Sequence, residues 1–487
     1  MKTPVFSTSD NGYTLILGLG ETGLAAAHWY LRQQLPVRLA DTRVSYQPQL
    51  EAVQAQYQTA AIEIVLGEQA LASSVLDGVK TVVLSPGLAL TDTAVAALLL
   101  EAKKQQIAVI SEIELFAQAL HDLIKQGYQT KVMAVTGTNG KTTVTQMLKH
   151  MVADANYRVQ AAGNISPAAL EALRQCLDAN ALPDFWIIEL SSFQLEHTFS
   201  LPVLAGTVLN ITQDHIDWHG SMALYAQAKA RLFAMSTVAV VNRNDSYTQQ
   251  LAAGHAQIRS FGLDSVIQAH DVGVVDQQGQ SWICTKDTTA SQVSCLLPTE
   301  ALLVAGKHNL SNALAALTLA HAAGLEWASL LMTLRSYHGE PHRCQFVRNI
   351  AGVDFINDSK GTNVGATVAA LEGLDRPLVL IVGGVDKGQS FEPLAQAITS
   401  SSCKAVVLIG RDASRIAQQL EDTSVPLQFA SDLDDAVSQS FALSVAGDAV
   451  LLSPACASFD MFSGYIERGH RFVESVTELA LDQGEVA

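Results

Sequence analysis

Charge is scarce in this chain: Asp, Glu, Lys and Arg make up 16% of its 487 residues. What charge there is leans one way, with 47 acids against 30 lysines and arginines and a formal net charge of -17. A surface of that sign repels nucleic acid and anionic membrane, so an anionic ligand has to be held by local cations and helix N-termini. The N-terminus carries no apolar signal core, and no apolar run is long enough to span a bilayer. Cysteine is sparse and scattered. Cys176, Cys284, Cys295, Cys344, Cys403 and Cys456 include no CxxC pair, which excludes a zinc or disulfide framework and fits a reducing compartment. A disorder signature is missing too, because 48% of the residues are hydrophobic and can build sizeable cores. The length is too great for one core, so two to four domains are expected. Together these absences predict a soluble, cytoplasmic, monomeric protein with small-molecule ligands, no nucleic-acid partner and no membrane insertion.

What is present is a set of apolar runs that each end in small or ligand-type residues. The most informative is Val132-Met133-Ala134-Val135-Thr136, followed by Gly137-Thr138-Asn139-Gly140-Lys141-Thr142-Thr143. Strand, glycine turn, Lys-Thr and helix together build a phosphate cradle. Glycines let backbone N–H groups close around phosphate oxygens, Lys141 brings a positive charge, and Thr142 brings a hydroxyl able to ligate Mg2+. The turn is a shortened Walker A, since Val135 stands where that pattern wants a glycine. Downstream, Phe185-Trp186-Ile187-Ile188 delivers Glu189 at a strand end, where a Walker-B-type acid holds Mg2+. A strand at Val208-Leu209-Asn210-Ile211 leads into Thr212-Gln213-Asp214-His215-Ile216-Asp217-Trp218-His219. There His215 is the candidate ligand, and Asp217 and His219 read as helix caps. Tyr225 and Lys229 share a helix face at i and i+4, a place where a lysine is ordinarily solvated. Val238–Asn242 is expected to close this sheet, with small hairpins between Ser260 and Pro298.

The chain before and after this segment repeats the alternation of strand and helix. Tyr13–Leu17 runs into Gly18-Leu19-Gly20-Glu21-Thr22-Gly23, and a second strand, Val37–Ala40, ends in Asp41 about 20 residues on. This pattern places a phosphorylated ligand at a helix N-terminus with Asp41 near a hydroxyl, without naming the ligand. Strands follow at Thr81–Leu84, ending in Ser85-Pro86-Gly87, and at Ile107–Ile110. Past Gly339-Glu340-Pro341-His342-Arg343, four strand-like runs end in Asp358-Ser359-Lys360-Gly361-Thr362-Asn363, Gly383-Gly384-Val385-Asp386-Lys387, Gly410 and Ser453-Pro454. Lys360 and Lys387 therefore stand at strand C-termini, facing an anionic ligand. The expected fold is α/β in three domains: a Rossmann-like domain over 1–110, a P-loop-type ATPase domain over 111–338, and a second Rossmann-like α/β domain over 339–487.

With these residues in hand, the chain resembles the Mur ligase family. The shared marks are Thr136–Thr143, Glu189, the His215 loop and Asn309/Asn312. Glu189–Glu196, Asn357–Asn363 and Ser453–Asp460 are similar to the branch that joins D-glutamate to UDP-N-acetylmuramoyl-L-alanine. The resemblance implies that ATP activates the L-alanyl carboxylate as an acyl phosphate, which the amine of D-glutamate then attacks. It assigns Lys141, His215, Lys229 and Lys360 to catalysis, and Gly137, Thr138, Asn139, Gly140, Lys141, Thr142 and Thr143 to the phosphates of ATP. Two Mg2+ ions fall to Thr142, Glu189, His215 and Lys229, the lysine as a carbamate. Adenine falls to Asn309, Asn312, Arg343 and Asp358, and D-glutamate to Thr362, Lys387, Ser458 and Tyr465. The uridine nucleotide and its sugar fall to Glu21, Thr22, Asp41, Thr42, Arg43, Ser85, Gly87 and Asn164. Three positions depart from the family pattern. Glu21 replaces a hydrophobic residue, and an acid near a diphosphate is unfavourable unless only its backbone is used. Tyr465 stands for Phe, and Gly361 for Ala. The stretch His121–Thr130 reads as an inserted surface loop.

Three rival readings remain from the sequence. A nicotinamide-dependent oxidoreductase explains the first glycine fingerprint but leaves the phosphate turn, Glu189 and the His215 loop without a role. A folylpolyglutamate synthase-like ligase shares the phosphate turn but lacks a nucleotide-sugar domain such as residues 1–110. A non-enzymatic ATP-binding switch is the third.

Overall fold

The computed structural model describes residues 12–286, 293–304, 306–374, 376–386 and 388–485. It forms two compact units, one drawn from 1–297 and 314–334, the other from 298–313 and 335–487.

The first unit contains two sheets. β1 (Tyr13–Leu17), β2 (Val37–Asp41), β3 (Ile62–Leu66), β4 (Val79–Leu84) and β5 (Ala108–Ile110) form a parallel sheet in the order β3-β2-β1-β4-β5. Core clusters cover both faces, which is why these strands read as continuous apolar runs. The chain works outward from β1 to β3 and then crosses back to β4. A crevice therefore opens where the loops after β1 and β4 diverge. Gly18 stands there with φ +88°, and a Cβ on it would lie 2.5 Å from Ser85 Cβ. A Cβ on Gly23 would lie 1.9 Å from the Gly18 carbonyl oxygen, so the spacing of these glycines lets helix Glu21–Arg32 pack on its own turn.

The second sheet has nine strands: β6 (Lys131–Thr136), β7 (Val159–Gly163), β8 (Phe185–Glu189), β9 (Val203–Val208), β10 (Ser236–Asn242), β11 (Ile258–Phe261), β12 (Val272–Gln277), β13 (Gln280–Lys286) and β14 (Val293–Pro298). Their order is β14-β13-β12-β11-β10-β9-β6-β8-β7. Three sequence expectations are corrected here. The sheet does not close at Asn242 but continues through β11 to β14. The strand expected at 208–211 lies earlier, because Leu209 N–H still bonds Thr136 O at 2.9 Å while the Asn210 side chain turns away to the glycine turn. His121–Thr130 is not a surface loop. Helix Glu112–Lys125 runs through its first half, and Tyr128 is buried, donating to Pro183 O and accepting from Trp186 Nε1 at 3.1 Å.

Helix Ala169–Asp178 begins at Ala168, which has no side chain able to cap it. Two acids from earlier in the chain supply the acceptors. Glu21 Oε1 accepts from Ala168 N–H at 3.1 Å and Ser166 Oγ at 2.6 Å, and Glu112 Oε1 accepts from Leu170 N–H at 2.5 Å. Glu112 is 2% exposed and its Oε2 has no partner. Burial, reinforced by the charge of Glu21, pushes its pKa up to about 7 from 4.5. The folded value lies above the unfolded one, so its contribution to stability is complete below pH 4.5 and is lost as pH rises through about 7. Glu112→Gln keeps the acceptor without the charge. Its stability relative to wild type is expected to rise between pH 5 and 8, by at most about 3 kcal/mol. Urea unfolding of both proteins at the two pH values checks this, and a difference independent of pH would contradict it.

In the second unit, β15 (Gln345–Ile350), β16 (Val353–Asn357), β17 (Leu378–Gly383), β18 (Cys403–Ile409), β19 (Leu427–Phe429) and β20 (Ala449–Leu452) take the order β15-β16-β20-β17-β18-β19. Four strands were expected. The two missed are edge strands, one antiparallel with a polar sequence and one only three residues long. Helices Val364–Gly373, Glu392–Ser400 and Ala413–Leu420 cover one face, and Leu433–Ala442 and Tyr465–Asp482 the other. The loop after β20 leaves toward the face opposite those after β16 and β17, so a crevice forms at its C-terminal end. Among the described residues no helix is long and apolar enough to cross a membrane.

Candidate functional site

The glycine turn after β6 is braced from the neighbouring strand. Asn210 accepts from Asn139 N–H at 2.9 Å and donates to Asn139 O at 3.2 Å, and its own carbonyl takes Thr138 N–H at 3.0 Å. Thr138 Oγ1 donates to Thr212 O at 3.2 Å, accepts from Thr212 N–H at 3.0 Å and shares a 2.9 Å hydrogen bond with Tyr225 OH. Gly140 has φ +85° and opens helix Lys141–Asp154, whose first turn holds Thr142 and Thr143. Lys141 Nζ folds back on the turn, donating to Gly137 O at 2.9 Å and Thr138 O at 2.8 Å.

A second lysine reaches the same carbonyl. Lys229, on helix Met222–Met235, is 2% exposed rather than solvated. Its Nζ donates to Gly137 O at 2.9 Å and Thr136 Oγ1 at 3.3 Å and lies 4.8 Å from the centre of the Tyr225 ring. Burial, and then the like charge of Lys141, holds its amine well below the usual pKa, while Asp214 and Glu189 act the other way.

Glu189, at the end of β8, is 1% exposed. Its Oε1 accepts from Asn164 Nδ2 at 2.9 Å, and its Oε2 is buried without a partner. A buried carboxylate oxygen left bare, a threonine hydroxyl at the helix start and two lysines nearby fit a phosphate-bound Mg2+ ion, which takes few protein ligands. The described residues contain no cluster of three or more His, Cys, Asp or Glu able to hold a metal by themselves. Gly163, φ +114°, lets β7 approach β8 here, since a Cβ on it would stand 2.3 Å from Glu189 O.

His215 and His219 take different roles. His215, at φ +54°, precedes helix Ile216–His219 and stands 3.4 Å from the Asp214 carboxylate, with its ring edge-on to Phe193. His219, expected as a cap, is instead buried, bonded to Ser192 Oγ at 2.9 Å and stacked on Phe193. Burial lowers its pKa to about 4, so it stays neutral.

The residues expected to hold the uridine nucleotide lie at the C-terminal edge of the first sheet. Asp41, 3% exposed, accepts from Leu19 N–H at 2.7 Å and from the Arg43 guanidinium and backbone at 2.9 Å. Burial acts to raise its pKa, but Arg43 and the backbone donors outweigh it and hold the value low. Arg43 also lies over the Tyr46 ring, 4.5 Å from its centre. Thr42 is exposed beside them; Ser85 faces Gly18 from the loop after β4, and Gly87 lies in the same loop with open space around it. Thr22 is in the first turn of helix Glu21–Arg32. The Glu21 carboxylate is engaged with Ser166 and Ala168.

In the second unit, Asn309 and Asn312 are buried one turn apart near the start of helix Lys307–Ala322, with Asn312 Nδ2 donating to Asn309 Oδ1 at 3.5 Å. Asp358, at the end of β16, accepts from Ser453 Oγ at 2.7 Å and Cys344 N–H at 3.2 Å. Burial raises its pKa to about 6, and the nearby charge of Arg343 opposes that rise. Lys360 Nζ lies 3.9 Å from the centre of the Tyr465 ring. Thr362 follows in the same loop, its N–H bonded to Lys360 O, and Ser458 is buried after β20. Lys387 lies outside the described residues. Sequence reasoning missed Asn210, Ser192 and Arg468. The first braces the turn and sits where a strand was expected to continue, and the others have no spacing signal.

A phosphate turn, an acid on the next strand, a dinucleotide-type first sheet and a second α/β sheet define a nucleotide-dependent ligase. The chain belongs to the Mur ligase family. Family models described as Mur ligase MurD-like N-terminal domain, Mur ligase middle domain, and Mur ligase, glutamate ligase domain match residues 12–111, 135–320 and 342–456. It is 50% identical to the UDP-N-acetylmuramoylalanine--D-glutamate ligase of Bordetella avium (strain 197N), over 100% of both chains. It is 47% identical to the ligase of the same name from Ralstonia nicotianae (strain ATCC BAA-1114 / GMI1000), over 99% of each. Among solved structures, the MurF ligase from Thermotoga maritima in complex with ADP shares the fold, with TM-score 0.59 and 14% identity over 92% of this chain and 96% of that one.

Proposed function

We propose that the chain is an ATP-dependent ligase that forms the amide between UDP-N-acetylmuramoyl-L-alanine and D-glutamate, a cytoplasmic step of peptidoglycan synthesis. The observation that carries this reading is the full-length match, at 50% identity, to a ligase named for that reaction. The substrate carboxylate attacks the γ-phosphorus of ATP and ADP leaves. The amine of D-glutamate then attacks the acyl carbon, phosphate leaves, and the nitrogen sheds its proton. Phosphoryl transfer asks mainly for positioning and charge neutralisation. Lys141, at the mouth of the glycine turn, supplies a cation that exchanges two backbone carbonyls for phosphate oxygens.

Thr142, Glu189, His215 and Lys229 are the residues that would hold two Mg2+ ions, which supply charge neutralisation at the phosphates when bound. Lys229 suits that set as a carbamate, because CO2 adds to a neutral amine and burial favours that form. Adenine is assigned to Asn309, Asn312, Arg343 and Asp358, and the acceptor carboxylates to Thr362, Lys387, Ser458 and Tyr465, with Lys360 beside the transferring phosphate. The first domain, 1–110, takes the uridine nucleotide through Thr22, Asp41, Thr42, Arg43, Ser85, Gly87 and the backbone of Glu21, with Asn164 meeting the sugar-peptide. Domains 111–338 and 339–487 follow, in a monomer.

Phosphate release from ATP with UDP-N-acetylmuramoyl-L-alanine tests the reading. D-Glutamate should support turnover, and L-glutamate, L-alanine or a diamino acid should support at most about 1% of it. Equal rates with any of these would overturn the acceptor assignment, and an NADH-dependent signal would favour the oxidoreductase.

A further inference from the structure

Arg468 is among the largest side chains fully buried in the molecule, at 1% exposure. It stands one turn into helix Tyr465–Asp482, the helix that leaves the crevice at the end of β20. A guanidinium taken out of water is ordinarily paired with a carboxylate, because leaving its charge uncompensated is expensive. Among the described residues Arg468 has no such pair. All of its hydrogen bonds go to neutral oxygens of two loops and of the end of β17. Nε donates to Ser359 Oγ at 3.0 Å, Nη2 to Ser359 O at 2.9 Å and Cys456 O at 3.2 Å, and Nη1 to Cys456 O at 3.2 Å and, at the limit of 3.5 Å, Gly383 O. Burial lowers its pKa to about 10, which leaves it charged at neutral pH.

These acceptors belong to the loops after β16 and β20 and to the last residue of β17, at the crevice. Further bonds stitch the same place. Ser359 Oγ donates to Tyr465 O at 2.8 Å, Asn357 Nδ2 to Gly469 O at 2.9 Å, and Val385 and Ala457 exchange backbone hydrogen bonds across two loops. Lys360 and Thr362 follow Ser359 directly, Ser458 is two residues past Cys456, and Tyr465 is three before Arg468.

We propose that Arg468 is the positioning residue of the acceptor amino-acid pocket: its planar fork holds the loops after β16 and β20 in register against the end of β17 so that Lys360, Thr362, Ser458 and Tyr465 converge on a dicarboxylate. This rests on the reading of that pocket given above. The guanidinium touches no substrate; it acts through the backbone it ties, while the nearby Asp460 and Asp358 carboxylates favour its charged form. Lysine keeps that charge but has no fork with which to span these segments.

The test is steady-state phosphate release with each of the three substrates varied in turn, for wild type, R468K, R468M and S359A, with thermal unfolding of each. The wild-type assay stands apart: failure to use D-glutamate there overturns the proposed function itself. Given wild-type turnover, R468K and R468M are expected to raise KM for D-glutamate by about 30-fold or more, with KM for ATP and for the UDP-linked substrate within about 3-fold. S359A, which removes one acceptor and keeps the arginine, is expected to raise it about 5-fold. If R468M does not fold, R468K and S359A still decide the matter. An unchanged KM for D-glutamate in the folded variants would overturn the proposal. So would a parallel rise in all three KM values alongside a lowered melting temperature, which marks a brace of the whole unit.

Discussion

Replacing Lys229 by alanine is expected to abolish turnover, with a loss on the order of 1,000-fold or more. The amine is buried, donates to Gly137 O and Thr136 Oγ1, and burial, with the like charge of Lys141, shifts it toward the neutral form. A lysine kept only for charge would gain nothing from such a place, since burial and Lys141 both oppose its protonation. A lysine that must first react as a free amine, and then serve as an anion, gains from both. Truncation leaves a hole beside the phosphate turn large enough for a small carboxylate. Formate or acetate, assayed from about 10 to 300 mM, is therefore expected to restore part of the rate, on the order of a tenth. Full activity in the alanine variant would remove the carbamate role. A loss without rescue, in a variant whose melting temperature has also fallen, would point to packing against Tyr225.

Lys141→Ala is expected to remove ATP turnover almost as completely, on the order of 100- to 10,000-fold. Nζ stands 2.8–2.9 Å from the carbonyls of Thr138 and Gly137, so it is already seated on the glycine turn proposed to hold the phosphates. Asn210, Thr138 and Tyr225 hold that loop independently of the lysine. The variant should thus fold normally and fail in chemistry and in nucleotide affinity, which calorimetry of ATP binding reads separately from phosphate release. Both lysines share Gly137 O and one ligand, so their losses should not add. A Lys141→Ala/Lys229→Ala protein about as impaired as either single variant is the expected result. Multiplied losses would mean that the two groups act in separate steps.

Much of this site was readable from residue order. The glycine turn at 137–140, the acid ending β8 and the Gly18/Gly23 spacing are local signals. Each reports a backbone angle or a close approach that few residue types tolerate, as the clashes at Gly23 and Gly163 illustrate. Parallel strands buried on both faces announce themselves as apolar runs, so β1, β6, β8 and β17 were legible. The short or polar edge strands β15 and β19 were not, because they carry no apolar run. Tyr128 was hidden for a related reason. Its neighbours are polar, and its place in the core is set by distant residues, among them Pro183 and Trp186, more than fifty residues away.

Residue order alone, then, marked what each segment is able to offer: a glycine turn between strand and helix, strand-end acids and cations, and helix N-termini. These depend on φ, hydrophobic period and residue chemistry within a few positions. The tertiary structure decided who meets whom. It turned the Glu21 carboxylate onto Ser166 and Ala168, sank Lys229 against Gly137, left one oxygen of Glu189 without a partner among the described residues, and buried Arg468 against backbone oxygens of Ser359 and Cys456. Those outcomes are set by desolvation and by hydrogen-bond geometry between atoms far apart in the chain, and neither quantity exists until the sheets have packed.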